Sequence, residues 1–210
     1  AETSEFNMTV YDPYVNMLRG TTEAMSATLG GVDTLEVLPF DFAFDDPGEF
    51  STRIARNVQL LLKEESHFDQ VVDPAGGSYY IENLTASIAE QAWKLFVEIE
   101  EKGGFVESYK TGSIKEEIEA SADKKRKNIA TRRETLLGTN QYPNFLEKAG
   151  DNIAPTTVGA DEGFGSGHPL ALKLFRGGME FEQLRLAVDR SGKNPKAFML
   201  TVGNLAMARA

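Results

Sequence analysis

The 210-residue chain contains no cysteine. That excludes a disulfide framework, a thiolate metal site and a thiol nucleophile. Histidine is nearly as scarce. His67 and His168 stand far apart, and neither has Cys, His or carboxylate neighbours at the spacing a metal centre needs. Both therefore read as surface residues. Positive charge is also short: 22 Lys and Arg against 32 Asp and Glu leave a formal net charge of −10. Nucleic acid and anionic membranes need a basic footprint, so neither is an expected partner. No apolar run approaches the roughly 18 residues of a membrane-spanning helix. No secretory leader pattern opens the sequence, and the expected compartment is the cytoplasm.

What is present reads as a folded globular chain, 41% hydrophobic and 26% charged. Asp12 and Pro13 are a preferred pairing for a helix start. They predict a helix to about Leu29, stopped by Gly30 and Gly31. Thr34 to Leu38 is a short strand candidate. A second helix is expected over about 49–65, burying Ile54, Val58, Leu61 and Leu62. Val71 and Val72 read as a strand, and a glycine-rich loop, Asp73 to Ser78, leads into a long helix over about 81–102. Its apolar stripe is Leu84, Ile88, Ala92, Leu95, Phe96 and Ile99. After a short helical turn over 105–110, Ser113 and Glu116 form a capping-box pattern for a helix to about Leu136. Its charged middle, Asp123 to Lys127, is a solvated face. These elements predict a helix-rich chain with few strands. The helix–strand–loop–helix order places it among α/β proteins built on parallel strands, where ligands sit beyond strand ends.

Residues 138–144 break the helical pattern, and residues 151–169 read as a linker. A helix is expected over 179–191. Ala197 to Val202 is a continuous apolar run bounded by Pro195 and Gly203, the clearest strand pattern in the chain. Strand, glycine and a starting helix look like the opening of another α/β domain. Ala1 at the start and a helix just beginning at Leu205 to Ala210 suggest a piece of a longer protein.

Three residues of the glycine-rich loop, Gly76, Gly77 and Ser78, are candidates for binding a phosphate or a thioester substrate. Glycine lets backbone N–H groups crowd around an anion, and a following helix start favours negative charge. The competing reading is a tight turn in which glycine supplies only backbone freedom. Nucleophilic catalysis has no candidate. Carboxylates are abundant, and Glu36 stands out because it lies inside a strand candidate.

The stretch RIARNVQLLLKEESHFDQVVDPAGGSYYIENL, from Arg53 to Leu84, resembles the last turns of the substrate barrel of the methylmalonyl-CoA mutase family. There the run reads approximately R-I-A-R-N-T-Q and then V-D-P-x-x-G-S-Y. DPYVNMLRGTTEAMSATLGGVDTLEVLPFD, from Asp12, is similar to the family's D-P-Y-N-N-x-x-R-T helix and following strand. AETSEF at the start resembles its Q-T-S-G segment. KAFMLTVGNLAMARA at the end resembles the start of its cobalamin domain. The resemblance implies the helix-rich C-terminal part of a (β/α)8 barrel, followed by the beginning of a flavodoxin-like α/β domain. The implied division is 1–137 for the barrel part, 138–177 for a linker and 178–210 for a degenerate cobalamin-binding-like domain.

The departures from the family pattern carry the functional expectation. Glu2 stands where the catalytic subunit has glutamine, and Glu5 where its glycine falls. Glu36 replaces the histidine of S-L-H-T-N, and Leu38 its asparagine. In the cobalamin motif D-x-H-x-x-G, Leu205, Met207 and Ala210 occupy the three defining positions. The resemblance thus implies the small, non-catalytic subunit of a heterodimeric mutase. Its parent complex uses adenosylcobalamin, its partner is the catalytic large subunit, and this chain itself binds no cofactor or metal. Self-association through exposed barrel edges is a further expectation. The alternative is a fragment of a catalytic acyl-CoA mutase.

Overall fold

A computed structural model of the chain describes residues 1–147 and 175–192. The expected strand at 197–202, most of the expected linker, and His168, Leu205, Met207 and Ala210 lie outside the described residues. Six α-helices run in order: α1 (Val15–Leu29), α2 (Glu49–Glu64), α3 (Tyr79–Glu101), α4 (Gly104–Thr111), α5 (Ser113–Ala130) and α6 (Met179–Ser191). A 3-10 turn, Glu5–Asn7, precedes them. Helix dominates as expected, and among the described residues strand pairing shrinks to two isolated parallel bridges.

The bridge that matters joins Glu2 to Glu36. Thr3 N–H donates to Glu36 O at 3.0 Å and Glu36 N–H to Ala1 O at 2.9 Å. Parallel pairing of two segments with a helix between them is the unit of βα architecture. The strand expected at Thr34 to Leu38 is thus reduced to one bridge. The strand expected at Val71–Val72 is not formed, and Val72 is 97% exposed. Two valines make no strand without a neighbouring ladder to take their backbone groups.

The core lies where α1 and α2 meet the segment after the bridge. Ala24, Val37, Ala55 and Leu62 are buried together, flanked by Leu35, Val58 and Phe68. Met8, Leu38 and Ala43 form a second cluster beside Phe42 and Phe44. α1 approaches through small residues: Gly20 and Ala24 are buried, while Tyr14 and Leu18 face outward. In α2 the buried face is Ser51, Ala55 and Leu62, and Leu61, expected inside, is exposed.

Three helix boundaries depart from their expected capping. Tyr14, not Asp12, occupies the N-cap of α1. Asp12 is held in the left-handed region, φ 54°, while its N–H donates to both carboxylate oxygens of Glu147. Gly112, φ 84°, occupies the N-cap of α5 in place of Ser113. A left-handed residue between α4 and α5 turns the chain sharply, which glycine does without a Cβ clash. α5 ends at Ala130, short of Leu136, because the Asn140 amide collects the chain beyond it. Its Nδ2 donates to Ile129 O and Glu134 O, and its Oδ1 accepts from Leu136 N–H.

The long helix α3 corrects a further expectation. Its apolar stripe predicts a buried face, yet no residue of α3 is buried and Ile88 is 59% exposed. Its apolar periodicity has no opposing surface among the described residues.

α6 docks onto the N-terminal segment through polar anchors. Arg176, just before the helix, and Glu182 in its first turns form an ion pair at 2.9 Å with side chains 2% and 1% exposed. Arg176 Nη1 donates to Met8 O at 3.0 Å, and Val10 N–H donates to Glu182 Oε1 at 2.7 Å. Further along, Tyr11 Oη donates to Asp189 at 2.9 Å, and the Arg185 guanidinium lies 3.9 Å from the Tyr11 ring centre. Burial, then the bond to Asp189, raises the Tyr11 pKa well above its ordinary value.

Candidate functional site

The bridged segments bring together positions at which the sequence departs from the family pattern. Glu2 and Glu36 face each other across the bridge and are exposed, and Glu5 follows one turn away, half-buried. Burial, reinforced by the charge of Glu2, raises the Glu5 pKa above the usual carboxylate range. Leu38 is not at the surface: it is core, packed with Met8 and Ala43. The Leu38 N–H donates to Thr3 Oγ1 at 2.9 Å, so a buried hydroxyl stitches the two segments just past the bridge.

α1 holds this edge in place. The Glu23 carboxylate accepts from Ser4 N–H at 2.7 Å and from Asn7 Nδ2 at 2.9 Å. Behind it, Asn16 is the central polar residue, 2% exposed. Its Oδ1 accepts from Thr9 N–H, Thr9 Oγ1 and Arg19 Nη1, and its Nδ2 donates to Thr9 O and Phe40 O. Arg19 Nη2 reaches Leu137 O at 2.6 Å. Burial lowers the Arg19 pKa, opposed by the charge of Asp12. Three distant stretches, at residues 9, 40 and 137, are thereby tied to one face of α1.

Chemically this edge is acidic. Carboxylates at Glu2, Glu5 and Glu36 repel an anionic ligand and offer no hydrogen-bond donor to a carbonyl oxygen when ionised. Among the described residues no group of three or more His, Cys, Asp or Glu is placed to hold a metal ion.

The glycine-rich loop is separate from this edge and exposed. Gly76 N–H donates to Asp73 O and Ser78 N–H to Ala75 O. Gly77, φ 80°, donates its N–H to Glu82 Oε1 at 3.2 Å, a carboxylate from the first turn of α3. The Asp73 carboxylate sits so close over Gly76 that an added Cβ there would lie 2.6 Å from it. Two carboxylates of the chain itself thus crowd the loop that carries the candidate residues Gly76, Gly77 and Ser78.

His67 occupies an exposed turn after α2, with φ 55°. The ion pair at Arg176 and Glu182 and the hub at Asn16 carry no signal in the sequence. An Asn near a helix start and a Glu in a helix's first turns look like ordinary surface polarity. A cavity of about 250 Å³ lies at the start of α6, lined by Arg126, Ile129, Phe175 and Arg176 among others. It is not at the bridged edge.

Parallel-paired segments alternating with helices, with acids at the paired edge, define a βα-type protein whose edge lacks catalytic donors. The profile of the methylmalonyl-CoA mutase family matches residues 1–161. The chain belongs to the methylmalonyl-CoA mutase family. It is 54% identical over 211 aligned residues to the methylmalonyl-CoA mutase small subunit of Porphyromonas gingivalis, covering 100% of this chain and 34% of that protein. It is 38% identical to the small subunit of Streptomyces virginiae, covering 98% of this chain and 33% of the relative. To the methylmalonyl-CoA mutase of Cereibacter sphaeroides it is 44% identical over 141 residues, 67% of this chain and 20% of the relative. The chain spans about a third of the length of the small subunits it matches.

Proposed function

We propose that this chain is part of the small, non-catalytic subunit of a cobalamin-dependent methylmalonyl-CoA mutase. In this reading the parent complex interconverts (R)-methylmalonyl-CoA and succinyl-CoA, and the chain supports a catalytic large subunit in the cytoplasm. One observation carries the reading. The small subunits of two species align over 98–100% of this chain, whereas the mutase chain aligns over 67% of it.

The acidic edge supports the same reading. An acyl-CoA substrate is an anion, with phosphates at one end and, here, a carboxylate at the other. Glu2, Glu5 and Glu36 add like charge where the catalytic relatives place glutamine, glycine and histidine, which disfavours binding. Substrate contact at Gly76, Gly77 and Ser78 would require Glu82 and Asp73 to move off the loop.

The residues of this chain do not fit a cobalt-ligating site. Adenosylcobalamin supplies radical chemistry where it is bound. A cobalt-binding imidazole needs an acceptor behind it to orient the ring. His67 stands on an exposed turn, and Leu205, Met207 and Ala210 replace the motif's aspartate, histidine and glycine. We place residues 178–210 at the start of a degenerate flavodoxin-like domain, after a barrel part over 1–137 and a linker over 138–177.

Two measurements on the full-length parent test the reading. Co-purification with the large subunit is expected. The parent alone is expected to show no cobalamin absorbance after incubation and dialysis. Stoichiometric cobalamin retained with histidine on cobalt would favour a catalytic mutase chain instead.

A further inference from the structure

α3 is 23 residues long, about 34 Å at the usual helical rise. All of it is exposed except Ile99, which is half-buried. Placing its residues at 100° intervals puts Leu84, Ile88, Leu95 and Ile99 on one side. Phe96 continues the arc, and Trp93 and Val97 extend it round the helix. The apolar arc spans roughly 220°, about twice the 100° or so of a helix that covers one surface. The remaining polar arc holds Ser87, Glu90, Lys94 and Glu98. Trp93 and Phe96 already stack, centroids 5.3 Å apart, yet stay 66% and 50% exposed.

We propose that α3 is an interior helix of the longer polypeptide to which this chain corresponds. Its cover is the remainder of that polypeptide, not a large subunit and not a second copy of this chain. The inference rests on the small-subunit reading and adds which part of the subunit the large subunit does not touch. The width of the arc is the first reason. One docking partner covers one side of a helix, whereas an arc of this width needs neighbours on two sides, as a helix has inside a core. Length is the second: the small-subunit relatives are about three times as long as this chain, enough to supply both neighbours. Charge is the third. α3 carries five glutamates and one lysine. Antiparallel self-pairing with Ile88 opposite Ala92 would set Glu82 against Glu98, which opposes a second copy.

The absence of cysteine makes the test direct. Ile88→Cys and Val97→Cys report on the two ends of the apolar arc, and Ser87→Cys on the polar arc. Each is introduced singly into the full-length parent, and its reaction with a maleimide is followed by peptide mass spectrometry, before and after the large subunit is added. The expected result is protection of Ile88→Cys and Val97→Cys by about tenfold or more relative to Ser87→Cys in the parent alone, as for buried segments. Adding the large subunit should change neither rate. Reaction of Ile88→Cys at the Ser87→Cys rate in the parent alone overturns the proposal. So does protection that appears only with the large subunit, or protection of the isolated 210-residue chain that grows with its concentration. Hydrogen exchange of the α3 amides in the unsubstituted parent makes the same distinction without a substitution. Co-purification, scored separately, reports on the small-subunit reading, so the two can fail independently.

Discussion

Asn16 does more for this fold than any one apolar side chain near it. Its amide satisfies backbone groups of Thr9 and Phe40 and takes the Arg19 guanidinium, all in a buried setting. Asn16→Ala would leave Thr9 N–H and two carbonyls without partners. Each orphaned buried group costs about 1–3 kcal/mol. The variant is expected to unfold at clearly lower urea, with an unchanged slope, in equilibrium denaturation. Glu5 makes a pH-dependent prediction. An acid whose pKa is raised on folding binds its proton more tightly in the native state. Its contribution is present at low pH and lost as pH rises through the raised value. Burial and Glu2 raise Glu5 in this way. Stability should therefore fall as pH rises through the acid range, and Glu5→Gln should flatten that part of the profile of melting temperature against pH. A profile for the variant that parallels the parent's would count against the raised pKa. At this scale the sequence is only partly legible. Glu2, Glu5 and Glu36 can be singled out by position, but their meeting on one edge depends on the Glu2–Glu36 bridge. Asn16 and Glu182 cannot be singled out, since burial comes from what folds over them.

At the scale of elements, helices are legible because apolar periodicity and glycine stops are local properties. All six helices fall where expected to within a few residues, apart from the early end of α5. Strands are not legible in the same way. Thr34 to Leu38 pairs at one residue and Val71–Val72 at none, because a strand exists only through its neighbour. The attachment of α6 is also a matter of tertiary contact. A buried ion pair contributes little net stability compared with an apolar replacement, but removing one partner strands a charge and costs about 3–5 kcal/mol. Arg176→Met and Glu182→Met singly should each destabilise the chain by about that amount in chemical denaturation. The double variant should recover much of the loss. If the double variant is as unstable as the worse single one, the anchor is more than a charge pair.

For the whole molecule, composition already limits the partners: a net charge of −10 gives no footprint for nucleic acid or anionic lipid. Among the described residues, no helix is long and apolar enough to cross a membrane. Family membership extends these limits to a role. A restored imidazole should not by itself restore cobalt ligation, because Leu205 offers no acceptor to orient the ring. Met207→His in the full-length parent is therefore expected to retain no more cobalamin than the parent, read from the absorbance after dialysis. Stoichiometric retention by that single variant would show that the orienting aspartate is dispensable.

The order of the helices, the acidic substitutions at Glu2, Glu5 and Glu36, and the missing donors at Leu205 and Met207 follow from the sequence alone. They depend on residue type and on periodicities of a few residues. The tertiary structure decided which of those residues meet. It set Glu2 beside Glu36, buried Leu38, laid the Glu82 carboxylate on the Gly77 N–H and left α3 bare. The physical reason is that burial and pairing belong to two surfaces at once. A stretch of sequence specifies only one of them.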